Sequence, residues 1–246
     1  MKVGIIGRGA IGSYVRQGLL DRGHEIGASI GRSGRVEELA DDIDHVVDCA
    51  GHAALKQHGP GILRRGFDLT TVSIGALADD LLYTSLQQAA TDGGATLYLA
   101  SGAIGGLDCL QAARVGALEN VTYIGRKPPQ GWRGSPAEDS IDLDDLDAAT
   151  VHFEGSARRA ASEYPKNANV AAAVALAGLG FDETRVQLVA DPGVYENVHE
   201  VQASGDFGHF RVEIRGQSLP DNPRSSALAA MSVIARLEQA SLSVWF

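Results

Sequence analysis

Three glycines near the N-terminus, Gly7, Gly9 and Gly12, have the spacing of the G-x-G-x-x-G pattern. The pattern follows an apolar run at residues 2–6 that is typical of a strand, and it precedes residues 11–22, where apolar side chains recur at helical spacing. Such glycines let backbone amides approach a pyrophosphate at a helix N-terminus. We therefore predict a dinucleotide site, with a plain structural turn as the alternative. The predicted contacts in this loop are Gly7, Gly9, Ala10, Ile11 and Gly12.

The residues after the second predicted strand, 25–30, bear on which dinucleotide is preferred. An Asp or Glu at this point binds the ribose 2′-hydroxyl of NAD, but this chain has Arg32 and Ser33 there. A guanidinium and a hydroxyl suit a 2′-phosphate, and no carboxylate at this point repels it. We predict that NADP binds at least as well as NAD. The alternative is a solvated loop arginine.

Seven histidines are candidates for proton transfer near neutral pH. His199 lies in a predicted strand at residues 196–203, and its neighbours alone favour a structural histidine over a catalytic one. His52 follows the apolar run at 45–49, close to the predicted carboxyl edge of the sheet, although a loop residue is the more frequent interpretation. Three others occur in sequence contexts typical of loops or surfaces: His24, His45 and His58.

The pattern of predicted strands and helices changes along the chain. Up to about residue 105, short β-branched runs alternate with helical patterns, which predicts a doubly wound parallel sheet of the Rossmann type. Beyond it, a helical stretch at 167–179 precedes three short runs that look like strands of an antiparallel sheet, at 186–190, 196–203 and 210–215. We predict a dinucleotide-binding domain at 1–105, a second α+β domain for catalysis and dimerisation at 106–224, and a closing helix at 225–240 that packs back on the first domain.

Composition excludes several classes of protein. The chain carries 31 acidic and 21 basic residues, for a net charge of −10, and its basic residues are scattered, which argues against nucleic-acid binding. Cys49 and Cys109 stand alone, so no metal site or disulfide framework is indicated, and a reducing cytoplasm is expected. The N-terminal apolar run is too short for a signal peptide or a membrane span. We therefore expect no membrane partner.

Five segments, in order along nearly the whole chain, resemble the L-aspartate dehydrogenase family. They are VGIIGRGAIG from Val3, LASGAIGGLDCL from Leu99, YPKNANVAAAVALAGLGFD from Tyr164, VADPGVYENVHEVQASGDFG from Val189 and NPRSSALAAMS from Asn222. The pieces GAIGGLD and YPKNANVA are far more specific than the glycine pattern. The stretch at 31–44 is compact for the family, and its Arg32 replaces any acidic ribose anchor.

The resemblance implies roles for particular residues. Ala103 and Asn169 are expected to contact the cofactor, and His199 is expected to be the catalytic residue. The implied reaction is NAD(P)-dependent oxidation of L-aspartate to iminoaspartate, or to oxaloacetate and ammonia, which would feed pyridine nucleotide biosynthesis. A homodimer is also implied, and the apolar tail at 243–246 would dock on its own core or on a partner.

The residues that hold the substrate carboxylates are less well marked. The candidates are Ser101, Lys166 and Asn167. Because a fold does not determine a substrate, an NADP-dependent reductase of another small imino or keto acid is one alternative. A non-catalytic redox sensor that binds NADP is the other, since a sensor needs the glycine pattern but no proton-transfer residue.

Overall fold

A computed structural model describes residues 1–31, 34–165, 167–219 and 222–244. Several residues singled out in the sequence lie outside this part of the chain: Arg32, Ser33, Lys166 and the tail residues Trp245 and Phe246. The chain forms two compact units, one of Met1–Gly102 with Ala227–Phe246 and the other of Ala103–Ser226. None of the helices in the described part of the chain has both the length and the hydropathy that spanning a bilayer requires.

The first unit is built on a five-stranded parallel sheet. Its strands are β1 (Lys2–Ile6), β2 (Glu25–Ile30), β3 (His45–Asp48), β4 (Asp68–Thr71) and β5 (Leu97–Leu99), in the order β2-β1-β3-β4-β5. Its helices are α1 (Ala10–Asp21), α2 (His52–Arg64), α3 (Asp80–Gly93) and the C-terminal helix Ala227–Ser241. The C-terminal helix contacts α1 and strands β3, β4 and β5. The predicted Rossmann-type fold is confirmed.

Helix α2 was not predicted, and its histidines are not in loops. His52 begins the helix, and His58 is buried within it. The sequence hides the helix because Gly59, Pro60 and Gly61 interrupt its pattern with residues that disfavour helices. The expectation of a loop or surface context is also wrong for His45, which is buried in β3. Its Nε2 lies 2.8 Å from the hydroxyl of Thr70, and burial lowers its pKa to about 4.

The second unit contains a five-stranded mixed sheet and four helices. The strands of this sheet are β6 (Leu118–Lys127), β7 (Thr150–Ser156), β8 (Arg185–Ala190), β9 (Asn197–Gly205) and β10 (Gly208–Gly216), in the order β10-β9-β6-β8-β7. The helices are α4 (Leu107–Ala113), α5 (Ala157–Glu163), α6 (Asn169–Ala177) and α7 (Gly180–Glu183). Strands β11 (Ser218–Leu219) and β12 (Asn222–Ser226) pair with each other as a short antiparallel ribbon.

The sheet of the second unit differs from the antiparallel one expected. Strands β6 and β8 are parallel, while β6–β9, β7–β8 and β9–β10 are antiparallel. The central strand β6 was missed because polar residues such as Glu119 and Asn120 open it, and the turn-forming stretch begins directly after it. The predicted α+β class of this unit is confirmed.

A buried carboxylate holds the ends of two strands in the first unit together. Asp48 is fully buried at the end of β3 and accepts hydrogen bonds from the hydroxyls of Thr71 (2.7 Å) and Ser73 (2.6 Å). Its other oxygen accepts from the amide of Ala50 at 2.9 Å. Burial raises the pKa of this carboxyl, while its donors act in the opposite direction. Asp48 thereby ties the carboxyl ends of β3 and β4.

We predict that Asp48→Ala lowers the free energy of unfolding by about 2 to 4 kcal/mol, because it leaves buried donors without an acceptor. Urea denaturation measures the change. The matched control is Asp92→Ala on α3, where the exposed carboxylate accepts from Gln88, and a change within about 0.5 kcal/mol is expected. Equal losses in the two variants would show that the Asp48 network does not stabilise the sheet.

Candidate active site

The glycine loop of the first unit is shaped by two close backbone approaches. Gly7 has a φ of +107°, and its amide donates to the carbonyl of Ile30 at 2.9 Å. A Cβ on Gly12 would lie 2.3 Å from the Gly7 carbonyl oxygen. Helix α1 therefore begins directly against the end of β1, and a larger residue at position 12 would separate them.

The same loop leaves open space where a phosphate would bind. Gly9 is the N-cap of α1 and makes no side-chain capping bond, and a Cβ on it would meet nothing within 4 Å. The first intrahelical bond runs from the Ser13 amide to the Gly9 carbonyl, so the amides of Ala10, Ile11 and Gly12 have no acceptor within the helix. These donors and this space fit the pyrophosphate of a dinucleotide.

A cation that sequence reasoning missed lies at the carboxyl end of β2. The guanidinium of Arg8 donates to the carbonyl of Ser29 at 2.8 Å. A Cβ on Gly31 would lie 3.7 Å from its Nε. Position 8 is an unspecified residue of the glycine pattern, so the motif itself gives no signal for it. Arg8 therefore places a positive charge beside Gly31.

In the second unit, strands β6 and β9 bring three functional side chains to one face. Gly125 of β6 lies directly opposite His199 of β9 in the register. Because alternate residues of a strand share a face, Tyr123 and Lys127 flank His199 on that face. A Cβ on Gly125 would lie 2.8 Å from the Tyr123 hydroxyl. The glycine thus makes room for the phenol to reach His199.

The imidazole of His199 is buried and held through one nitrogen. Its Nδ1 lies 2.7 Å from the hydroxyl of Tyr123, and the two rings are stacked at 6.0 Å between centroids. Burial and the nearby positive charge of Lys127 lower the pKa of His199 to about 4. Burial also raises the pKa of the Tyr123 phenol, which therefore stays neutral. Neutral at physiological pH, the imidazole can accept a proton at Nε2.

Lys127 carries a desolvated ammonium at the end of β6. Its Nζ donates to the side-chain oxygen of Asn167 at 2.5 Å and lies 4.9 Å from the centroid of the Trp132 ring. Burial lowers the pKa of the ammonium to about 8. The indole of Trp132 is itself fixed by a bond to the Val189 carbonyl at 3.0 Å. Sequence reasoning missed Lys127 because it opens the turn-forming stretch 127–136.

His152 of β7 belongs to the same cluster. Its ring lies 4.4 Å from that of Trp132, and its Nδ1 lies 3.2 Å from the hydroxyl of Tyr164. Its Nε2 is buried and makes no hydrogen bond within the described part of the chain. Burial and the charge of Lys127 lower the pKa of His152 to about 4. The second unit therefore gathers two neutral imidazoles around one ammonium.

The other predicted site residues are divided between the units. Ser101 follows β5 in the first unit and is partly buried. In the second unit, Ala103 is buried near the start of the unit, and Asn169 is the first residue of α6. Asn167 joins Lys127 and hence the cluster that contains His199.

Comparisons with known proteins agree on one family. The C-terminal domain model of aspartate dehydrogenase matches residues 108–240, and the NAD-binding domain model of homoserine dehydrogenase matches residues 29–100. An L-aspartate dehydrogenase of Ruegeria pomeroyi is 49% identical over 259 aligned residues, which cover 99% of this chain and 94% of that relative. The chain belongs to the aspartate dehydrogenase family. The predicted family is confirmed, and with it an oxidoreductase that takes NAD or NADP.

Other aspartate dehydrogenases show the same similarity. The L-aspartate dehydrogenase of Pseudomonas aeruginosa is 52% identical over 194 residues, or 79% of this chain and 73% of that one. The crystal structure of aspartate dehydrogenase from Thermotoga maritima superposes with a TM-score of 0.81 at 28% identity, covering 100% of this chain and 99% of that one. The aspartate dehydrogenase fold therefore extends over the whole chain.

The glycine loop of this aspartate dehydrogenase yields a paired prediction. Gly9→Ala adds a methyl group to open space, so it should leave the melting temperature unchanged and lower dinucleotide affinity about tenfold or more by filling the phosphate cradle. Gly12→Ala should lower the melting temperature, because its Cβ meets the Gly7 carbonyl. Thermal unfolding and calorimetric titration with NAD and NADP measure both effects. Unchanged dinucleotide affinity in Gly9→Ala would show that the phosphate does not bind in the open space at Gly9.

Proposed function

We propose that this protein is an NAD(P)-dependent L-aspartate dehydrogenase with His199 as its acid–base residue. The observation that carries the proposal is a buried, neutral imidazole in a chain 49% identical to an L-aspartate dehydrogenase. The products would be iminoaspartate, or oxaloacetate and ammonia after hydrolysis. An assay of reduced cofactor with L-aspartate, and with other amino acids for comparison, tests the substrate.

The proposed role of His199 follows from the state of its ring. The substrate ammonium must lose a proton before its nitrogen can form an imine, and a neutral imidazole can accept that proton. When bound, the dinucleotide supplies the hydride acceptor for the substrate α-carbon. Once it has released that proton to solvent, the same imidazole can activate the water that hydrolyses the imine. General acid–base catalysis of this kind contributes about 10² to 10⁴-fold.

Tyr123 would hold His199 in the tautomer that the reaction needs. If Nδ1–H donates to the Tyr123 oxygen at 2.7 Å, the lone pair of Nε2 is free to accept a proton. After protonation, the same Nδ1–H donation continues. The phenol oxygen accepts this bond in both states, so it need not move between steps, and burial keeps the phenol neutral throughout.

The proposed cofactor contacts come from the glycine loop and from the family resemblance. Gly7, Gly9, Ala10, Ile11 and Gly12 would hold the pyrophosphate, and the resemblance adds Ala103 and Asn169. We propose that NADP binds at least as well as NAD, through Arg32 and Ser33. Arg8 supports this proposal, because its guanidinium lies at the end of β2 beside Gly31.

A homodimer is proposed on the family resemblance. A cytoplasmic location is proposed on the free cysteines Cys49 and Cys109, since a reducing compartment keeps thiols free. We likewise propose that residues 1–105 and the helix 225–240 serve the dinucleotide, while residues 106–224 serve catalysis and dimerisation.

We predict that His199→Ala lowers kcat by about 10² to 10⁴-fold, because it removes the group that transfers the proton, while NADP affinity and the folded state persist. The pKa of about 4 further predicts no loss of wild-type kcat/KM from imidazole protonation between pH 6 and 7, since His199 gains its proton only well below that range. Steady-state kinetics across pH and calorimetry measure these effects.

His209→Ala is the matched control, since this exposed histidine lies on β10 of the same sheet. It should keep wild-type turnover. If His199→Ala retained near wild-type kcat from pH 7 to 10, the role would pass to His52, Lys166 or bound water.

We predict that Arg32→Ala weakens NADP binding about ten- to a hundredfold and spares NAD, because only NADP carries the 2′-phosphate. Calorimetric Kd values for both cofactors measure the change. The control is Arg35→Ala, an exposed arginine paired with Glu37 at 3.2 Å, which should alter neither Kd. Equal losses for NAD and NADP in Arg32→Ala would rule out recognition of the phosphate.

A further inference from the structure

The ammonium of Lys127 carries a positive charge that no acidic side chain pairs with in the part of the chain that the structure describes. The contacts of its ammonium within the described residues are Asn167, a neutral amide, and the face of Trp132. No carboxylate of those residues forms an ion pair with it. An ammonium has three donor hydrogens, and the bond to Asn167 uses one. Two donors and a full charge remain for another group.

The pKa shifts of the two imidazoles beside Lys127 are consistent with the absence of an acidic partner among the described residues. The pKa values of both neighbouring imidazoles, His152 and His199, are lowered by burial and by Lys127, and no acidic group raises either of them. This is notable in a chain with 31 acidic residues and a net charge of −10. A partly buried cation without an anionic partner is costly, so it is typical of a site that binds an anion.

We propose that the ammonium of Lys127, held in place by Asn167 and Trp132, binds a carboxylate group of the substrate near His199. The inference rests on the proposed oxidation of L-aspartate, whose two carboxylates make it complementary to an uncompensated cation. Lys127 thereby joins Ser101 and Lys166 as a candidate carboxylate ligand, and Asn167 positions its ammonium. The buried, unpaired Nε2 of His152 is a further polar group of the same cluster.

Carboxylate binding at Lys127 also has a consequence for His199. The charge of Lys127 holds the pKa of His199 down. A bound carboxylate neutralises that charge, so the imidazole becomes a stronger base once substrate is present. Proton abstraction is thereby coupled to occupation of the site.

The test uses the full-length protein with Lys127→Met, which removes the charge and keeps the side-chain volume. We expect KM for L-aspartate and the Kd of succinate, a non-reacting dicarboxylate, to rise about ten- to a hundredfold, with NADP affinity unchanged. Lys127→Arg should restore part of the succinate affinity. Lys56→Met, which removes an exposed lysine paired with Asp79, is the charge control and should change neither constant.

Two measurements separate binding from a structural role. Lys127→Met should not lower the melting temperature, because the lost cation has no ion-pair partner in the described residues, and the pKa of His199 measured by NMR should rise. A lower melting temperature with unchanged KM and succinate Kd would overturn the proposal. Succinate affinity that depends on Lys127 in a protein that does not oxidise L-aspartate would refute the proposed function and leave this site standing.

Two amides of aspartate show which carboxylate is bound. L-Asparagine lacks the β-carboxylate and L-isoasparagine lacks the α-carboxylate. If Lys127 binds the β-carboxylate, Lys127→Met should raise the inhibition constant of isoasparagine and leave that of asparagine unchanged; the reverse result assigns the α-carboxylate. If the substitution changes neither constant, Lys127 does not bind a substrate carboxylate.

Discussion

Close approach of the backbone at glycine is the constraint on which both units depend. In the first unit, Gly12 lets α1 begin within contact of the Gly7 carbonyl, which aims the first amides of the helix at open space above Gly9. In the second unit, Gly125 leaves room for the phenol of Tyr123 beside His199. A Cβ at either position would lie well inside van der Waals contact, so each functional group owes its position to a missing side chain.

Burial without compensation is the second theme of the structure. Asp48 is buried but satisfied by two hydroxyls and an amide, and it serves the fold. Lys127 is desolvated, its one hydrogen-bond partner among the described residues is a neutral amide, and it serves the proposed chemistry. The two groups differ in the number of their hydrogen bonds. A buried polar group whose hydrogen bonds are all made can stabilise the fold, whereas one with unused donors can bind a ligand.

The two histidines of the second unit show how a single charge sets protonation in a small cluster. Burial alone favours the neutral imidazole, and Lys127 strengthens that preference at His152 and His199. The site therefore carries its positive charge on lysine and keeps both imidazoles neutral, so that an imidazole can accept a proton. That separation suits a substrate that brings both carboxylates to be bound and an ammonium to be deprotonated.

Features of the fold and of the family that depend on residues close together in the chain could be predicted from the sequence. The glycine spacing between a strand and a helix, the β-α alternation of the first unit and the family resemblance of segments such as YPKNANVA can each be read along the chain, because each depends on neighbours within a few residues. The α+β class of the second unit could also be predicted.

Which side chains surround His199 could be seen only in the tertiary structure. Strand β6 was not predicted because it begins with polar residues, so Tyr123, Gly125 and Lys127 were not identified as site residues. The register of β6 with β9 nevertheless places them beside His199, more than 70 positions away in the sequence. Helix α2 was concealed by Pro60 and its glycines, which hid the burial of His58. Strand pairing and desolvation join residues distant in sequence, and no local pattern of residue types records which of them will meet.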